Sequence, residues 1–465
     1  MDKLSNKELQ HLYNRTGFGI SATELRTLST FKKNQVVDRL FLESQGSSML
    51  SLDLSILDKD KKGLTREEKK ALKKIRNQKM FELNFIWFKQ MVTTKQTLRE
   101  KMVLFFHEHF AVRIKNPKAN IHLNNILREH ALGSFAEMLM EVSKSPAMIA
   151  FLNNKQNKKD HPNENFAREV MELFTLGRDN GYTETDIKEA ARAFTGWSFS
   201  KEGKFVFRKS IHDDGEKTIL GKTGNFKGED VIKILLEQKQ TAKYMVEKLY
   251  NYLVNPIPNP RHINKLTNVF YESGYNLEKV IRAIFESDWF YKKENIGVKI
   301  KSPIQYLATI SKQFHVSYGN PKALILAQKK LNQVLFFPPN VAGWPGGKYW
   351  IDSSTLMLRL KLASIILNDG VIDWTEKSDM PESAIAKMEE RKARVKSKIA
   401  RKVKAKPNWG KYLNELKLDK KEDLISFFIQ PELSKPAKQV VADLDETDKQ
   451  DFIVELLSLP EYQLY

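Results

Sequence analysis

The chain has no cysteine in 465 residues, which excludes disulfides, thiolate metal sites, iron–sulfur clusters and a cysteine nucleophile together. It also lacks any run approaching the roughly eighteen uninterrupted apolar residues of a membrane span. Its opening, Met1-Asp2-Lys3-Leu4-Ser5-Asn6-Lys7-Glu8, carries acids and no apolar signal core, so the sequence as written reads as an unexported, cytoplasmic product. Regular strand–helix alternation is missing, which argues against a parallel-sheet α/β enzyme, and no fixed-period repeat supports a solenoid. Neither a Gly-x-Ser-x-Gly elbow nor a His-Glu-x-x-His pattern occurs.

Two near-motifs fail, one on residue type and one on spacing. Asp58-Lys59-Asp60-Lys61-Lys62-Gly63 opens like a calcium loop, but Lys62 and Lys69 stand where oxygen ligands belong. Gly215 to Gly221-Lys222-Thr223 has five residues between its glycines where a phosphate-binding loop has four, and the next helical pattern begins late, near Gly228. No haem, iron–sulfur or nucleotide signature is left.

What is present is a large apolar inventory: 41% hydrophobic residues with 27 Phe and 7 Trp, enough to pack an interior. Helical periodicity dominates, and the expected class is mainly α. Thr65-Arg66-Glu67-Glu68 is a capping-box start to a long helix, a second helix covers Lys101 to Phe110, and Thr183 with Asp186 opens another. Asp230 to Gln238 and Ala242 to Leu253 read as two more, while Phe205-Val206-Phe207 marks a small β-hairpin near 203–221. At this length two lobes are expected, 1–254 and 261–465, joined at Asn255-Pro256-Ile257-Pro258-Asn259-Pro260; one continuous domain is the alternative.

The formal net charge is +20, and it is unevenly spread. Within a lysine-rich insertion at 373–421, nine of the sixteen residues from Arg391 to Lys406 are Lys or Arg and none is acidic. Ile385, Met388, Val395, Ile399 and Val403 keep one apolar seam, so a basic amphipathic helix is expected there. Such a face is most often simply solvated; an anionic polymer or a membrane surface is the partner it would fit. Without interleaved aromatics or a nucleic-acid motif, nothing favours nucleic acid.

Chemistry concentrates in Asn165-Phe166-Ala167-Arg168-Glu169-Val170-Met171-Glu172-Leu173-Phe174-Thr175-Leu176-Gly177. At helical spacing Phe166, Val170, Leu173 and Phe174 share an apolar face, with Asn165, Glu169 and Glu172 aligned beside it. Carboxylates at the edge of a core persist only when paired, hydrogen-bonded or ligating. Glu169 and Glu172 thus read either as an acid/base pair or as members of an ion-pair network in which Arg168 reaches Glu172 and Arg192 reaches Glu169.

His107 and His109 lie about 200° apart on a helix, so one is expected in the core and the other exposed, and both cannot face one ion while the helix is regular. His161 precedes the Glu-rich helix and is placed near its positive end. A divalent metal held by members of His107, His109, His161 and Glu169 is one option these donors allow. Arg15, either an anion ligand or a cap, joins Asn165, Arg168, His212, Asp213, Asn340 and Trp344 as binding candidates, several of them on turns. Trp197, Trp344 and Trp350 would make a stacking platform if they met at a cleft.

Several segments together carry a resemblance: Leu12-Tyr13-Asn14-Arg15-Thr16-Gly17-Phe18-Gly19, Lys101 to Phe110, Asn165 to Gly177, Tyr182-Thr183-Glu184, Ala191 to Trp197, His212-Asp213, Pro339 to Gly347, and the ending Ser458 to Leu464. In order and spacing they resemble a bacterial family catalogued as domain of unknown function 1800. The resemblance covers nearly the whole chain and implies no assigned activity. It implies gene neighbours of a phosphatase- or sulfatase-like family, and export signals in many members, contrary to the reading of this N-terminus.

Two functional classes follow. In the first, a hydrolase-like enzyme uses Glu169, Glu172, His107 and Arg192 in carboxylate–histidine acid/base chemistry, with or without a metal, on a polar or anionic polymer-derived substrate. In the second, the Glu, Arg and His groups are internal braces of a non-catalytic binding or assembly protein. Convergence of His and Glu at a solvent-reached cleft favours the first; complete Arg–Glu pairing with buried histidines favours the second.

Overall fold

The computed structural model describes residues 3–58, 63–368, 405–444 and 446–465. Helices dominate, and each strand belongs to a small two-stranded antiparallel sheet. Local chemistry sets many helix starts. Ser5 with Glu8, Thr65 with Glu68 and Thr183 with Asp186 form reciprocal capping boxes, opening the helices Asn6–Thr16, Arg66–Thr93 and Glu184–Ala193. Proline at the first turn opens Pro117–His130 and Pro303–Gln313, where its missing N–H costs nothing.

The helix Thr97–His109 is the axis of the fold. It is buried on every side from Thr97 to His107, ringed by Asn6–Thr16, Lys33–Glu43, Arg66–Thr93 and Pro117–His130. Burial on every side puts the polar side chains of this helix inside the protein too, so each needs a partner there. Its one fully enclosed acid, Glu100, is satisfied there by the Arg128 guanidinium and by Trp87 Nε1 at 3.0 Å, and Arg128 Nε also reaches Asn124 at 2.8 Å. This all-round burial corrects the expectation for the histidines. His107 and His109 are 3% and 2% exposed, because both sides of this helix face protein.

The first helix meets the end of the chain. Gln10 Nε2 donates to Phe427 O at 3.3 Å and accepts, through Oε1, from Gln430 Nε2 at 2.6 Å. Tyr465 pairs with Lys299 through both backbone groups, N to Lys299 O at 2.9 Å and O from Lys299 N at 3.2 Å. One continuous hydrophobic core runs from Leu4 to Tyr462.

Strand β1 (Trp197–Phe199) pairs with β2 (Phe205–Phe207), and β3 (Lys217–Ile219) with β4 (Lys222–Gly224), so two hairpins flank the His212 loop. The phosphate-loop look-alike is the second of these hairpins; its following helix begins only at Gly228. The stretch 165–177 is not one regular helix. It is α-helical over Asn165–Glu169 and widens into a π-helix over Val170–Thr175, where Thr175 Oγ1 bonds Val170 O at 2.6 Å.

The expected basic helix falls almost wholly outside the described residues, as do Lys59 to Lys62 of the calcium-loop look-alike. Its last two residues, Ala405 and Lys406, form β6 against β5 (Ser317–Tyr318), so helix does not extend to Lys406. Among the described residues no helix is long and apolar enough to cross a membrane.

Candidate functional site

The Glu-rich segment carries an ion-pair lattice on its outer side. Arg168 binds Glu164 at 2.9 Å, Glu172 at 3.3 Å and Glu184 at 2.7 Å, and Arg178 approaches Glu172 at 3.5 Å. Glu169 is half-buried, and burial, with Glu172 beside it, raises its pKa. Arg192 does not reach Glu169. It holds Asp213 through Nε at 2.7 Å and Nη2 at 3.2 Å, and also takes Glu189 at 2.8 Å. The Asp213 carboxyl is pulled below its usual range chiefly by that Arg192 bond. Helix Glu184–Ala193 and the loop between the hairpins are thereby clamped together, with His212 buried against Thr195 O at 2.9 Å.

The other candidates scatter. His107 accepts the Phe336 N–H at Nε2, 3.1 Å, and is boxed by Trp87, Phe336 and Trp344 at ring separations of 4.8, 5.3 and 5.8 Å. Burial lowers its pKa to about 3, so it is a neutral core imidazole. His109 sits among Phe105, Phe106, Phe110, Phe135 and Phe174, its pKa also pushed far down by burial. His161 and Asn165 are exposed, and Asn340 is exposed with its Oδ1 accepting from Ala342 N at 2.9 Å. Trp197 and Trp350 are buried while Trp344 is half-buried, so the three do not present an open platform. Among the described residues, His107, His109, His161 and Glu169 do not bring three donor atoms together.

A different cluster stands where the resembling segments meet. Arg15 is wholly buried; Nη2 donates to Asn295 O at 2.9 Å, the guanidinium lies 4.5 Å from the ring centre of Tyr465, whose side chain favours its charge, and Nε and Nη1 lack a well-formed hydrogen bond. Lys101 Nζ also lies 5.1 Å from the Tyr465 ring centre, bonded to Gln305 Oε1 and 5.4 Å from the Tyr252 ring centre. Lys299 Nζ is bonded to Asn251 O. Among the described residues, none of these three cations has a carboxylate within ion-pair distance.

The acid nearest them in charge is Glu108, whose Oε1 accepts from Gln333 Nε2 at 2.7 Å. Glu108 keeps a partly exposed edge, but protein crowds its carboxylate, and burial lifts its pKa to about 7 against the opposing pull of Lys101, Gln333, Lys299 and Lys248. Burial likewise lowers Lys299 to about 7 and Lys248 to about 8, and drives Lys101 well below the usual lysine range. Arg15 falls only to about 10 and stays charged at neutral pH. Gly343, at φ +78°, brings the 339–347 turn onto the end of the axial helix, where an added Cβ would lie 2.5 Å from Glu108 O.

Sequence reasoning named Arg15 but missed Lys101, Glu108, Lys248 and Lys299. A signal existed for two of them: Lys101 and Glu108 are seven residues apart, two turns along one face of the same helix. Lys248 and Lys299 come from distant segments and carry no such mark.

Fold and cluster define a mainly helical protein with a cation-rich polar interior, in which Glu108 is the partly exposed carboxylate. The chain belongs to the family described as Protein of unknown function (DUF1800), which matches residues 11–464. No curated protein and no solved structure matches it.

Proposed function

We propose that this protein is a hydrolase-like acid/base enzyme for an anionic substrate, with Arg15 as the anion-binding group and Glu108 as the proton-transfer group. The observation that carries the reading is Arg15: a wholly buried guanidinium whose Nε and Nη1 lack a well-formed hydrogen bond, with the Tyr465 side chain beside it and, among the described residues, no carboxylate partner. Buried charge is ordinarily paired, and arginine cannot escape by losing its proton as Lys101 and Lys299 can. An anion entering past Glu108 would supply the missing charge. A carboxyl titrating near neutrality beside such an anion is suited to giving and taking protons. The imidazoles have no role in this scheme, because His107 and His109 are neutral and enclosed.

A second reading, the binding or assembly protein, rests on the complete pairing of Arg168 and Arg192 and on the buried histidines. One experiment separates the two. Aryl phosphate, aryl sulfate and acidic oligosaccharide substrates are screened with wild type, Glu108→Gln and Arg15→Met. The enzyme reading expects turnover with an acid limb or base limb near pH 7, falling about 100- to 10,000-fold in Glu108→Gln. Saturable anion binding that needs Arg15, without turnover, moves the assignment to the binding protein. Turnover unchanged in Glu108→Gln removes Glu108 from the chemistry.

A further inference from the structure

The turn joining helices Pro117–His130 and Phe135–Lys144 gathers a second set of donors, separate from the cluster around Glu108. Glu129, His130 and Glu141 place one potential ligand atom each within 4.8 Å of the others. The two glutamates are exposed and His130 is 9% exposed. His130 Nε2 is buried and makes no hydrogen bond, although Glu141 Oε2 lies only 3.4 Å away. A carboxylate beside an imidazole nitrogen, too poorly aligned to share a proton, is an arrangement that an ion between them resolves.

The spacing is informative. Two ligands each about 2.1 Å from a tetrahedral ion stand about 3.4 Å apart. The far side of the ring is also set up: His130 Nδ1 faces Glu137 Oε2 at 3.6 Å, the place of the carboxylate that orients a metal-bound imidazole. The scaffold is firm where it needs to be. Arg99 Nη1 donates to Glu129 O at 3.2 Å, Gly133 N to His130 O at 2.9 Å, and Phe135 N to Tyr275 O at 3.0 Å. Only the two exposed carboxylates have freedom to close.

We propose that Glu129, His130 and Glu141 form a divalent transition-metal site of the zinc class, with His130 Nε2 and two carboxylate oxygens as ligands, Glu137 as the orienting group and a water position left open. One nitrogen with two carboxylates suits zinc better than calcium or magnesium, which prefer all-oxygen shells. The ion would pin the two helices across their turn.

Tag-free full-length protein, stripped with chelator, is titrated with zinc chloride by calorimetry, and its metal content is read by mass spectrometry after dialysis. One zinc per chain is expected, with affinity at least tenfold weaker in Glu141→Gln and in Glu129→Gln, and lost in His130→Gln. The two glutamates are exposed, so their variants test the site even if His130→Gln fails to fold, and circular dichroism verifies each. Absence of saturable zinc binding overturns the proposal. So does zinc binding equal to wild type in both glutamate variants, since the ion would then lie elsewhere.

Discussion

Replacing Arg15 by Met removes a buried charge and keeps most of its volume, and the structure sets the size of the effect. Burial lowers the guanidinium from 12.5 to about 10, which at 1.36 kcal/mol per pH unit makes the charged form about 3 kcal/mol less favourable than in water. Loss of the bond to Asn295 O gives back about 2 kcal/mol, the usual worth of a bond to a charged group. In anion-free buffer Arg15→Met is therefore expected to match or exceed wild type by about 1 kcal/mol. With unfolding entropy near 2.1 cal/mol/K per residue, that is about 1 °C in Tm. Phosphate at about one hundred times its Kd would add about 2.7 kcal/mol to wild type and nothing to the variant. Differential scanning calorimetry with and without phosphate and sulfate reads both terms. If Arg15 is only a brace, its loss costs about 3 to 5 kcal/mol and anions leave wild type unmoved. That pair of results would refute the anion-site argument.

Acid should weaken the fold through its neutral histidines. His107 is held at about 3, against 6.5 in the unfolded chain, so the unfolded state binds the extra proton between those values; the contribution is whole above pH 6.5 and shrinks as pH falls. At pH 5 the loss from His107 alone is about 2 kcal/mol, measured as the urea midpoint at pH 7 and pH 5, and a His107→Gln variant showing the same slope would contradict it. Gly343→Ala forces a side chain onto a φ of +78° and against Glu108 O, so it should cost about 2 kcal/mol or more and lower Tm without altering helical content.

Local rules were enough for the class and for many boundaries. Capping boxes at Thr65 and Thr183 and the aromatic alternation at Phe205 to Phe207 act over a few residues, so those helices and that strand were legible before any contact was known, whereas the strand's pairing back onto Trp197–Phe199 was not. The outer lattice was half legible: Arg168 reaches Glu172 because i, i+4 neighbours meet on any helix, whereas Arg192 turned to Asp213, a choice made by how the hairpins fold over its helix. The π-helical widening after Glu169 has no periodic signal in the sequence.

In the His107-Glu108-His109 triplet, the imidazoles drew attention by residue type, yet aromatic burial makes His107 and His109 neutral core groups. The glutamate between them is the one that feels Lys101 of its own helix and lysines from two other segments, Lys248 and Lys299. Composition and periodicity determined that this would be a helical, cysteine-free protein; that the helix Thr97–His109 is enclosed on every side was decided by the tertiary packing. Only the tertiary structure decided which charged side chains on that axis lost their water and which came to share a compartment, because desolvation and long-range Coulomb forces depend on residues far apart in the chain.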